Sequence, residues 1–219
     1  MPVFRPRSPT PVQPRIYHII HVDRLDAILK DGFIYSDSNV TGMKKPGTMI
    51  GFAHTKHRRA EKPLGAGLKV GECVPFYYCP RSVMLYVISQ RNHPQLAYRG
   101  GQDPIIHLEF DPLKVADWAE SVGLRYYVTD VSAATDYFTA YGNIDALNRL
   151  DWDAIGATHW TDVTDRKQAE FLVEGRVPIS LVGKIGVKNR AVATMVGQLL
   201  KLRGLLETVE IAVVPQWYY

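Results

Sequence analysis

The hydrophobic positions of this chain follow two periods that alternate along the sequence. Alternating apolar and polar residues are typical of β-strands, and apolar residues spaced three and four apart are typical of helices. The sequence predicts strands at 15–21, 49–54, 74–80, 104–110, 124–130, 169–178, 183–189 and 207–215, and helices at 23–32, 81–91, 112–123, 143–156 and 190–204. This order of short strands and interspersed helices predicts an α+β fold.

Two stretches lack a clear period and are predicted to be loops. Residues 36–48 are rich in Gly, Pro, Ser and Lys, which favour irregular structure. Apart from the predicted helix at 143–156, residues 131–165 mix aromatic and polar side chains. Because long loops in compact domains often carry function, we expect the second stretch to contribute to a site.

The composition, 46% hydrophobic and 22% charged in 219 residues, is typical of a single globular domain. No apolar run approaches the ~18 residues that span a bilayer. Residues 1–14 are basic and rich in Pro, without the apolar centre of a signal peptide. We therefore expect a cytoplasmic, monomeric protein that does not associate with membranes. It should have a flexible N-terminal segment at 1–14 and one domain at 15–219.

The charge is unevenly distributed although the formal net charge is only +4. Residues 103–165 contain 12 Asp and Glu but 3 Lys and Arg, and the rest of the chain contains 23 Lys and Arg but 10 Asp and Glu. This asymmetry indicates a basic surface that could meet a polyanion. Ordinary solvated surface charge explains the counts equally well.

The cysteines and histidines do not indicate a disulfide or a metal site. If 74–80 is a strand, its rise of ~3.3 Å per residue holds Cys73 and Cys79 about 20 Å apart, whereas a disulfide needs Cα atoms within ~7 Å. His54 and His57 lack a third ligand, so no metal is expected. The sequence also lacks the G-x-G-x-x-G and G-x-x-x-x-G-K-[ST] motifs of Rossmann and P-loop sites.

A carboxylate stands at the start of a predicted core strand, in Gln168-Ala169-Glu170. Strands are depleted in Glu, and burying a carboxylate is costly unless it has a partner. Since strand residues alternate, Gln168 and Glu170 are expected on one face, lining a cleft. The alternative is an edge strand with a polar face.

Three other residue types are candidates for chemistry. His18 lies within a predicted strand, where a hydrogen-bonded core histidine is the more common explanation. Arg58 and Arg59 offer planar donors that match phosphate oxygens, although a solvated basic turn is the alternative. Tyr77 and Tyr78 are expected on opposite faces of their strand, so one of them faces the core and the other a surface or cleft.

Six blocks, in this order, resemble the DarT family of DNA ADP-ribosyltransferase toxins. They are "IYHIIHVDRLDAIL", "GFAHTKHRR", "VPFYYCPRSVMLY", "GGQDPIIHL", "KQAEFLV" and a terminal "WYY", and the first five are distributed over residues 16–175. The resemblance implies an ADP-ribosyltransferase fold related to the poly(ADP-ribose) polymerase core, with two small β-sheets forming a NAD cleft. It also implies NAD as co-substrate, a thymine base of single-stranded DNA as acceptor, and a DarG-type macrodomain antitoxin as partner.

The resemblance also implies roles for individual residues. His18 matches the histidine that holds the NAD ribose, and the backbone of Ile19 would hold the nicotinamide amide. Tyr77 matches the tyrosine that stacks near nicotinamide. Arg59 matches an arginine near the NAD phosphates that is needed for activity. Glu170 matches the catalytic glutamate, with Gln168 completing a Q-x-E motif that binds the co-substrate.

Contacts to DNA are expected from cations around this cleft and from aromatic residues of the long loop. Lys and Arg can follow a DNA backbone while unpaired bases stack on aromatic rings. One departure concerns "VSAATD" at 131–136, where related toxins would have a histidine, so the DNA preference could differ. The predicted DNA-binding residues are Lys44, Lys45, Lys56, Arg58, Arg166 and Lys167, with Tyr137, Phe138 or Trp160 as stacking candidates.

Other functions stay open on the sequence alone. A transferase of the same fold could act on guanine, RNA or a protein, and RNA 2′-phosphotransferases also use a related fold. A non-catalytic nucleic-acid-binding domain would explain the charge asymmetry without NAD. A metal nuclease is disfavoured because no cluster of carboxylates and a lysine stands at a recognisable spacing.

Overall fold

The computed structural model describes residues 8–219, which form an α+β fold. The strands are β1 (Ile16–His21), β2 (Phe33–Tyr35), β3 (Pro63–Gly65), β4 (Leu68–Lys69), β5 (Cys73–Tyr77), β6 (Ile105–Phe110), β7 (Tyr126–Thr129), β8 (Ala140–Tyr141), β9 (Glu170–Glu174), β10 (Arg176–Pro178), β11 (Val182–Val187) and β12 (Glu210–Val213). The helices are α1 (Leu25–Asp31), α2 (Asp37–Met43), α3 (Ala53–Glu61), α4 (Val83–Gln90), α5 (Pro112–Ser121), α6 (Trp152–Gly156), α7 (Thr164–Lys167) and α8 (Arg190–Leu202).

The largest sheet consists of two four-stranded halves joined at its centre. Its strand order is β12-β11-β6-β1-β5-β9-β7-β8. β1 pairs with β6 along its whole length, from Ile16 to His21, but with β5 only at Tyr17 opposite Tyr77. Beyond the pair of Tyr17 and Tyr77, the two halves diverge. The predicted α+β fold class is confirmed. Pairs β10-β2 and β3-β4 form two further small sheets.

The main core lies where strands of both halves meet the helices. Phe76 of β5 contacts Phe110 and Phe171 edge to face, with ring centroids 5.2 and 6.5 Å apart, and all three rings are buried. Helices α1, α5 and α8 contribute buried aliphatic residues to the same cluster. Burying each such side chain contributes roughly 1.5–3 kcal/mol. The core therefore contains side chains from strands of both halves.

Most of the predicted elements are confirmed, with ends that shift by a few residues. This holds for seven strands, with 169–178 divided into β9 and β10 at Gly175, whose φ is 70°. Gly32 ends α1 with a φ of 77°. Asp23 precedes α1, and its carboxylate accepts hydrogen bonds from the Thr48 N–H at 3.1 Å and the Thr48 hydroxyl at 2.6 Å.

Two predictions between residues 36 and 54 are wrong. The predicted loop 36–48 contains helix α2, which begins where the Ser36 hydroxyl accepts a hydrogen bond from the Asn39 N–H. The predicted strand 49–54 does not form, and α3 begins at Ala53. Ile50 and Phe52 pack against the cluster of Leu85 and Ile88 instead of pairing with a strand. Side-chain packing thus explains their apolar character.

The long stretch 131–165 contains more regular structure than a loop. The predicted helix at 143–156 is a 3₁₀ helix, Ile144–Arg149, followed by α6. Asp151 separates them, because its carboxylate accepts a hydrogen bond from the Ala154 N–H at 3.0 Å and caps α6. The part of the stretch nearest to the sheet junction, 131–139, stays irregular.

The N-terminal segment is attached to this region. The Ser8 hydroxyl donates a hydrogen bond to Asp153 at 2.6 Å, and the Thr10 hydroxyl donates to Asn148 at 2.8 Å. These two residues are therefore hydrogen-bonded to the stretch 131–165. Residues 1–7 lie outside the described residues, and the flexibility of 1–14 stays a prediction. Cys73 and Cys79 are free and buried. In residues 8–219 no helix has the length and apolar character to cross a bilayer.

Candidate active site

A cleft of about 210 Å³ opens between the two halves of the large sheet, next to the pair of Tyr17 and Tyr77. Its walls come from β1, β5, the start of β9 and the loops and helices between β1 and α3. Among its lining residues are five of the six that the resemblance assigned to catalysis or co-substrate binding, namely His18, Ile19, Arg59, Tyr77 and Glu170. Residues 18 and 170, which lie 152 positions apart, therefore share one site.

Pro75 explains why the two halves separate where they do. The Val22 N–H donates to the Pro104 oxygen in line with the β1–β6 ladder, so Tyr17 and Ile19 direct their backbone groups toward β5. In the register that pairs Tyr17 with Tyr77, Ile19 faces Pro75. Proline has no N–H, so strand pairing stops and the Ile19 carbonyl receives no donor from β5.

His18 bridges the gap that Pro75 leaves. Its Nδ1 lies 2.8 Å from the Pro75 oxygen. Because that oxygen can only accept, Nδ1 carries the hydrogen, and Nε2 of the neutral ring is an acceptor. Burial lowers the pKa of His18 below its usual 6.5. The ring is therefore neutral at pH 7 and offers one acceptor in the cleft.

Glu170 and Arg59 form a buried ion pair at the inner end of the cleft. Arg59 Nη1 lies 2.8 Å from Glu170 Oε2 and 3.1 Å from Oε1, and the side chains are only 10% and 3% exposed. Burial by itself would lower the pKa of Arg59, but the Glu170 carboxylate outweighs it and raises that pKa. The second terminal nitrogen of Arg59, Nη2, is buried without a hydrogen-bond partner in residues 8–219. Such a nitrogen is suited to an anionic ligand.

The irregular loop 131–139 also holds the Glu170 carboxylate. Oε1 accepts hydrogen bonds from the Ser132 hydroxyl at 3.1 Å and the Ala133 N–H at 2.9 Å. Oε2 accepts only from Arg59 in the described part of the chain, so it keeps a free lone pair. The sequence analysis missed Ser132 and Ala133, because their segment was noted only for lacking a histidine. The Ser132 hydroxyl in "VSAATD" was the feature of the sequence that could have indicated a hydrogen-bond donor to Glu170.

The same loop is fastened at both of its ends. At its start, the Thr129 hydroxyl accepts from the Glu170 N–H at 3.0 Å and donates to the Val131 oxygen at 2.7 Å. Near its end, Asp136 forms a salt bridge of 2.7 Å with Arg58 of α3. Tyr137 follows directly and is 92% exposed. The position of this loop is therefore coupled to the position of the carboxylate.

Tyr77 stands directly across from Glu170 in the β5–β9 ladder. Burial, with a smaller contribution from the Glu170 charge, raises the pKa of its phenol. The phenol is thus neutral at any physiological pH and can stack or donate a hydrogen bond. Tyr78, on the other face of the strand, is buried in the core, as predicted for one of the pair.

Gln168 is not beside Glu170, which corrects the prediction that both residues share a strand face. The strand begins at Glu170, and Gln168 forms the C-terminal cap of α7. Its side-chain amide donates to the Thr164 oxygen at 3.2 Å within that helix. Gln168 does not line the cleft. The Q-x-E pattern therefore spans a helix end and a strand start.

Lys167 was predicted to contact DNA, but its ammonium group is buried, with only 3% of the residue exposed. Its Nζ donates to the Ile155 oxygen at 2.8 Å and to the Ala157 oxygen at 2.9 Å, at the end of α6. Carbonyls at a helix C-terminus attract a cation. Arg166 is half-exposed and pairs with Asp151 at 2.6 Å.

The other four predicted DNA contacts are distributed over two surfaces. Lys45 and Lys56 line the cleft. Lys45 forms a salt bridge of 2.6 Å with Asp31, and Lys56 forms one with Asp37. Arg58 is half-exposed in its bridge to Asp136. Lys44 is exposed at the C-terminal end of α2. Within residues 8–219, no group of three or more His, Cys, Asp and Glu side chains is arranged to hold a metal ion.

The junction of the split sheet thus carries a hydrogen-bonded glutamate, an arginine beside it and a histidine across the gap. A family model described as "DarT: ssDNA thymidine ADP-ribosyltransferase, DarT" matches residues 17–219. A DNA ADP-ribosyl transferase of Thermus aquaticus is 36% identical over 95% of this chain and 90% of that relative. The chain belongs to the DarT family.

Solved structures agree with this assignment. The structure of Thermus sp. 2.9 DarT in complex with ADP-ribosylated ssDNA superposes with a TM-score of 0.86 at 31% identity, over 98% of this chain and all of that one. The same protein in complex with NAD⁺ superposes with a TM-score of 0.75 at 31% identity, over 95% of this chain and 99% of that one.

Proposed function

We propose that this protein transfers ADP-ribose from NAD to a thymine base of single-stranded DNA and acts as the toxin of a toxin–antitoxin pair. The observation that carries the proposal is the single cleft that brings His18, Ile19, Arg59, Tyr77 and Glu170 together, in a chain of the DarT family. NAD is a co-substrate in this reaction. A DNA acceptor also agrees with the expected cytoplasmic location.

The cleft suits NAD group by group. The free Ile19 carbonyl can accept a hydrogen bond from the nicotinamide carboxamide, with the Tyr77 ring available for stacking. His18 Nε2 can accept from a ribose hydroxyl. The unpartnered Arg59 Nη2 can donate to a pyrophosphate oxygen. Lys45 and Lys56 line the same cleft. Their position therefore favours contacts with the NAD phosphates over contacts with a DNA backbone outside the cleft.

The reaction breaks the bond between nicotinamide and the ribose C1 carbon and forms a bond from that carbon to N3 of thymine, which loses its proton. As the first bond breaks, positive charge develops on the ribose. A preorganised carboxylate in a partly dehydrated cleft stabilises that charge. Glu170 is fixed by Arg59, Ser132 and Ala133, so it does not have to reorganise as the charge develops.

The two oxygens of Glu170 have different tasks in this proposal. Oε1 is saturated by three donors and holds the carboxylate in place. Oε2 has a lone pair left for the ribose 2′-hydroxyl. The N3 proton of thymine passes to Glu170 or to a neighbouring base. Arg59 positions the carboxylate and contacts the pyrophosphate.

The DNA interface that we propose is smaller than the sequence indicated. We leave Lys167 out of it because its ammonium group is buried. Lys44, Arg58 and Arg166 are the predicted cations that solvent reaches outside the cleft. The partner that would reverse the modification is a macrodomain antitoxin, which family membership supports.

The test is intact-mass analysis of a thymine-containing single-stranded oligonucleotide after incubation with the protein and NAD. The expected result is a gain of one ADP-ribose, which disappears with a thymine-free oligonucleotide and with Glu170→Ala. A gain on guanine, RNA or protein instead would replace the acceptor and keep the transferase. An absence of both NAD binding and any gain would overturn the proposal in favour of a nucleic-acid-binding domain.

A further inference from the structure

Three aromatic rings and an arginine form a surface beside the cleft that the transfer chemistry does not use. Trp160 and Tyr86 meet edge to face with centroids 5.3 Å apart, and Tyr86 meets Tyr219 in the same way at 5.2 Å. The Arg81 guanidinium lies 4.4 Å from the Tyr219 ring centroid. We call Arg81, Tyr86, Trp160 and Tyr219 the aromatic surface.

The rings of the aromatic surface are accessible. Tyr86 is 37% exposed, and Trp160 and Tyr219 are half-buried. In an edge-to-face contact, the edge of one ring meets the face of the next, so the rings at the end of such a chain keep a face for another partner. Trp160 makes an edge-to-face contact with Tyr86, and its side chain also interacts with that of Tyr219.

Arg81, the cation of the aromatic surface, is available to a phosphate. Arg81 makes no salt bridge with any carboxylate of residues 8–219, and its Nε is buried without a hydrogen-bond partner. Helix α4, which carries Tyr86, contains no charged residue. An arginine without a carboxylate, next to exposed aromatic rings, matches the backbone and the bases of a single strand.

None of the four residues of the aromatic surface lines the cleft, but helix α4 connects the surface to it. Met84, two residues before Tyr86 on α4, lines the cleft. Arg81 is four residues after Tyr77 in the sequence. Its carbonyl oxygen accepts a hydrogen bond from the Tyr219 hydroxyl at 3.0 Å. Trp160 lies in the segment that leads to α7 and Glu170. A strand whose thymine enters the cleft would reach this surface with its neighbouring nucleotides.

We propose that the aromatic surface binds nucleotides that flank the modified base in single-stranded DNA. Bases stack on Tyr86 and Trp160, while Arg81 contacts a backbone phosphate. This inference rests on the proposed function and adds a subsite to it. The subsite tolerates different sequences, because every base has a face to stack.

The experiment compares kcat/KM for pools of single-thymine tetramers and dodecamers with randomised flanks. Stacking on an aromatic side chain changes affinity on the order of 10-fold per base. We expect the wild-type protein to prefer dodecamers, and Tyr86→Ala and Trp160→Ala each to reduce this preference about 10-fold through a higher KM. Trp160→Phe, which keeps a ring, should reduce it less. Leu202→Ala, an exposed apolar truncation at the end of α8, is the matched control.

A second measurement separates this subsite from the transfer reaction. Stacking of a base on an indole quenches its fluorescence, so dodecamers should quench the wild-type protein more than Trp160→Phe, without any NAD present. Equal quenching, an unchanged dodecamer preference, or an equal loss on both substrate lengths would overturn the subsite. If no oligonucleotide is modified but the Trp160-dependent quenching is seen, the subsite stands and the proposed reaction fails.

Discussion

Arg59 Nη1 contacts both oxygens of Glu170, at 3.1 and 2.8 Å, while Nη2 of the same guanidinium stays buried without a partner. The arginine therefore has two separate functions, one toward the carboxylate and one toward a ligand. A buried ion pair of this kind contributes little net stability, but breaking it leaves a buried charge alone.

The first prediction concerns this pair. Arg59→Met should lower the free energy of unfolding by about 3–5 kcal/mol because Glu170 is left buried and unpaired. Glu170→Gln should reduce kcat by about 10²–10³. The double variant should recover part of the lost stability but no activity. Urea denaturation and steady-state kinetics measure both quantities.

The more exposed pair of Arg125 and Glu174 provides a matched control, since its side chains are 39% and 25% exposed. Arg125→Met should cost about 1 kcal/mol or less, as expected for a pair near solvent. A loss as large as that of Arg59→Met would show that burial is not what makes the pair in the cleft costly to break.

The second prediction concerns the hydroxyl of Ser132. Ser132→Ala removes one of three donors to Oε1, so the carboxylate becomes less fixed. We expect a loss of about 1 kcal/mol in transition-state stabilisation, seen as a several-fold lower kcat with nearly unchanged affinity for NAD. Ser121→Ala is the control, because the Ser121 hydroxyl donates to the Trp118 oxygen on α5. Unchanged kcat would mean that Ala133 and Arg59 hold Glu170 sufficiently.

The third prediction tests the missing donor at Pro75. Pro75→Ala supplies an N–H opposite Ile19, which can extend the β1–β5 ladder and occupy the Ile19 carbonyl. We expect a KM for NAD that rises several-fold, with little change in the free energy of unfolding. Pro63→Ala, on the exposed edge of β3, should leave KM unchanged. If both variants behave alike, the Ile19 carbonyl does not bind the co-substrate.

The fourth prediction separates the neighbours Arg166 and Lys167. Binding that neutralises phosphates weakens with salt, with a slope of about −0.7 per contact for single strands. Arg166→Ala should make this slope shallower, whereas Lys167→Met should leave it unchanged and instead destabilise the protein, because Nζ ties α7 to α6. A shallower slope for Lys167→Met, in a folded protein, would contradict the buried position.

The fifth prediction concerns pH. Burial lowers the pKa of His107 to about 4, and its Nε2 lies 2.9 Å from the Pro80 oxygen. Below the unfolded pKa of 6.5 the unfolded chain takes up a proton that the folded protein refuses, so stability falls as the pH decreases from 6.5 to about 4. The total loss is roughly 3 kcal/mol. Thermal unfolding between pH 7 and 4 should show a smaller change for His107→Gln, and an equal change would refute the assignment.

The fold was predictable wherever the apolar period was long. Helix α8 and strand β6 have such patterns, and both were found nearly in full. Helix α3 was missed, because "AHTKHRRAE" has no apolar stripe and its helical form depends on tertiary contacts around Arg59. Local patterns cannot report such contacts.

The site was predictable from residue type but not from local geometry. Glu170 was recognisable as an unusual carboxylate at the start of a core strand. Its partners are remote, since Arg59 is 111 residues away and Ser132 is 38 residues away. The placement of Gln168 failed because the alternation was extended two residues too far, into the end of α7. The sequence indicated an exposed Lys167, because the residue stands in a polar stretch, whereas its side chain is buried.

The two halves of the large sheet are joined by one residue pair, Tyr17 with Tyr77, and this affects the cooperativity of unfolding. Two four-stranded units that share so little backbone pairing can open separately, and amide exchange in β1 and β6 can then differ from that in β5 and β9. NAD in the cleft would contact both units at once. By linkage, its occupancy would then raise the free energy of separating them and make unfolding more concerted.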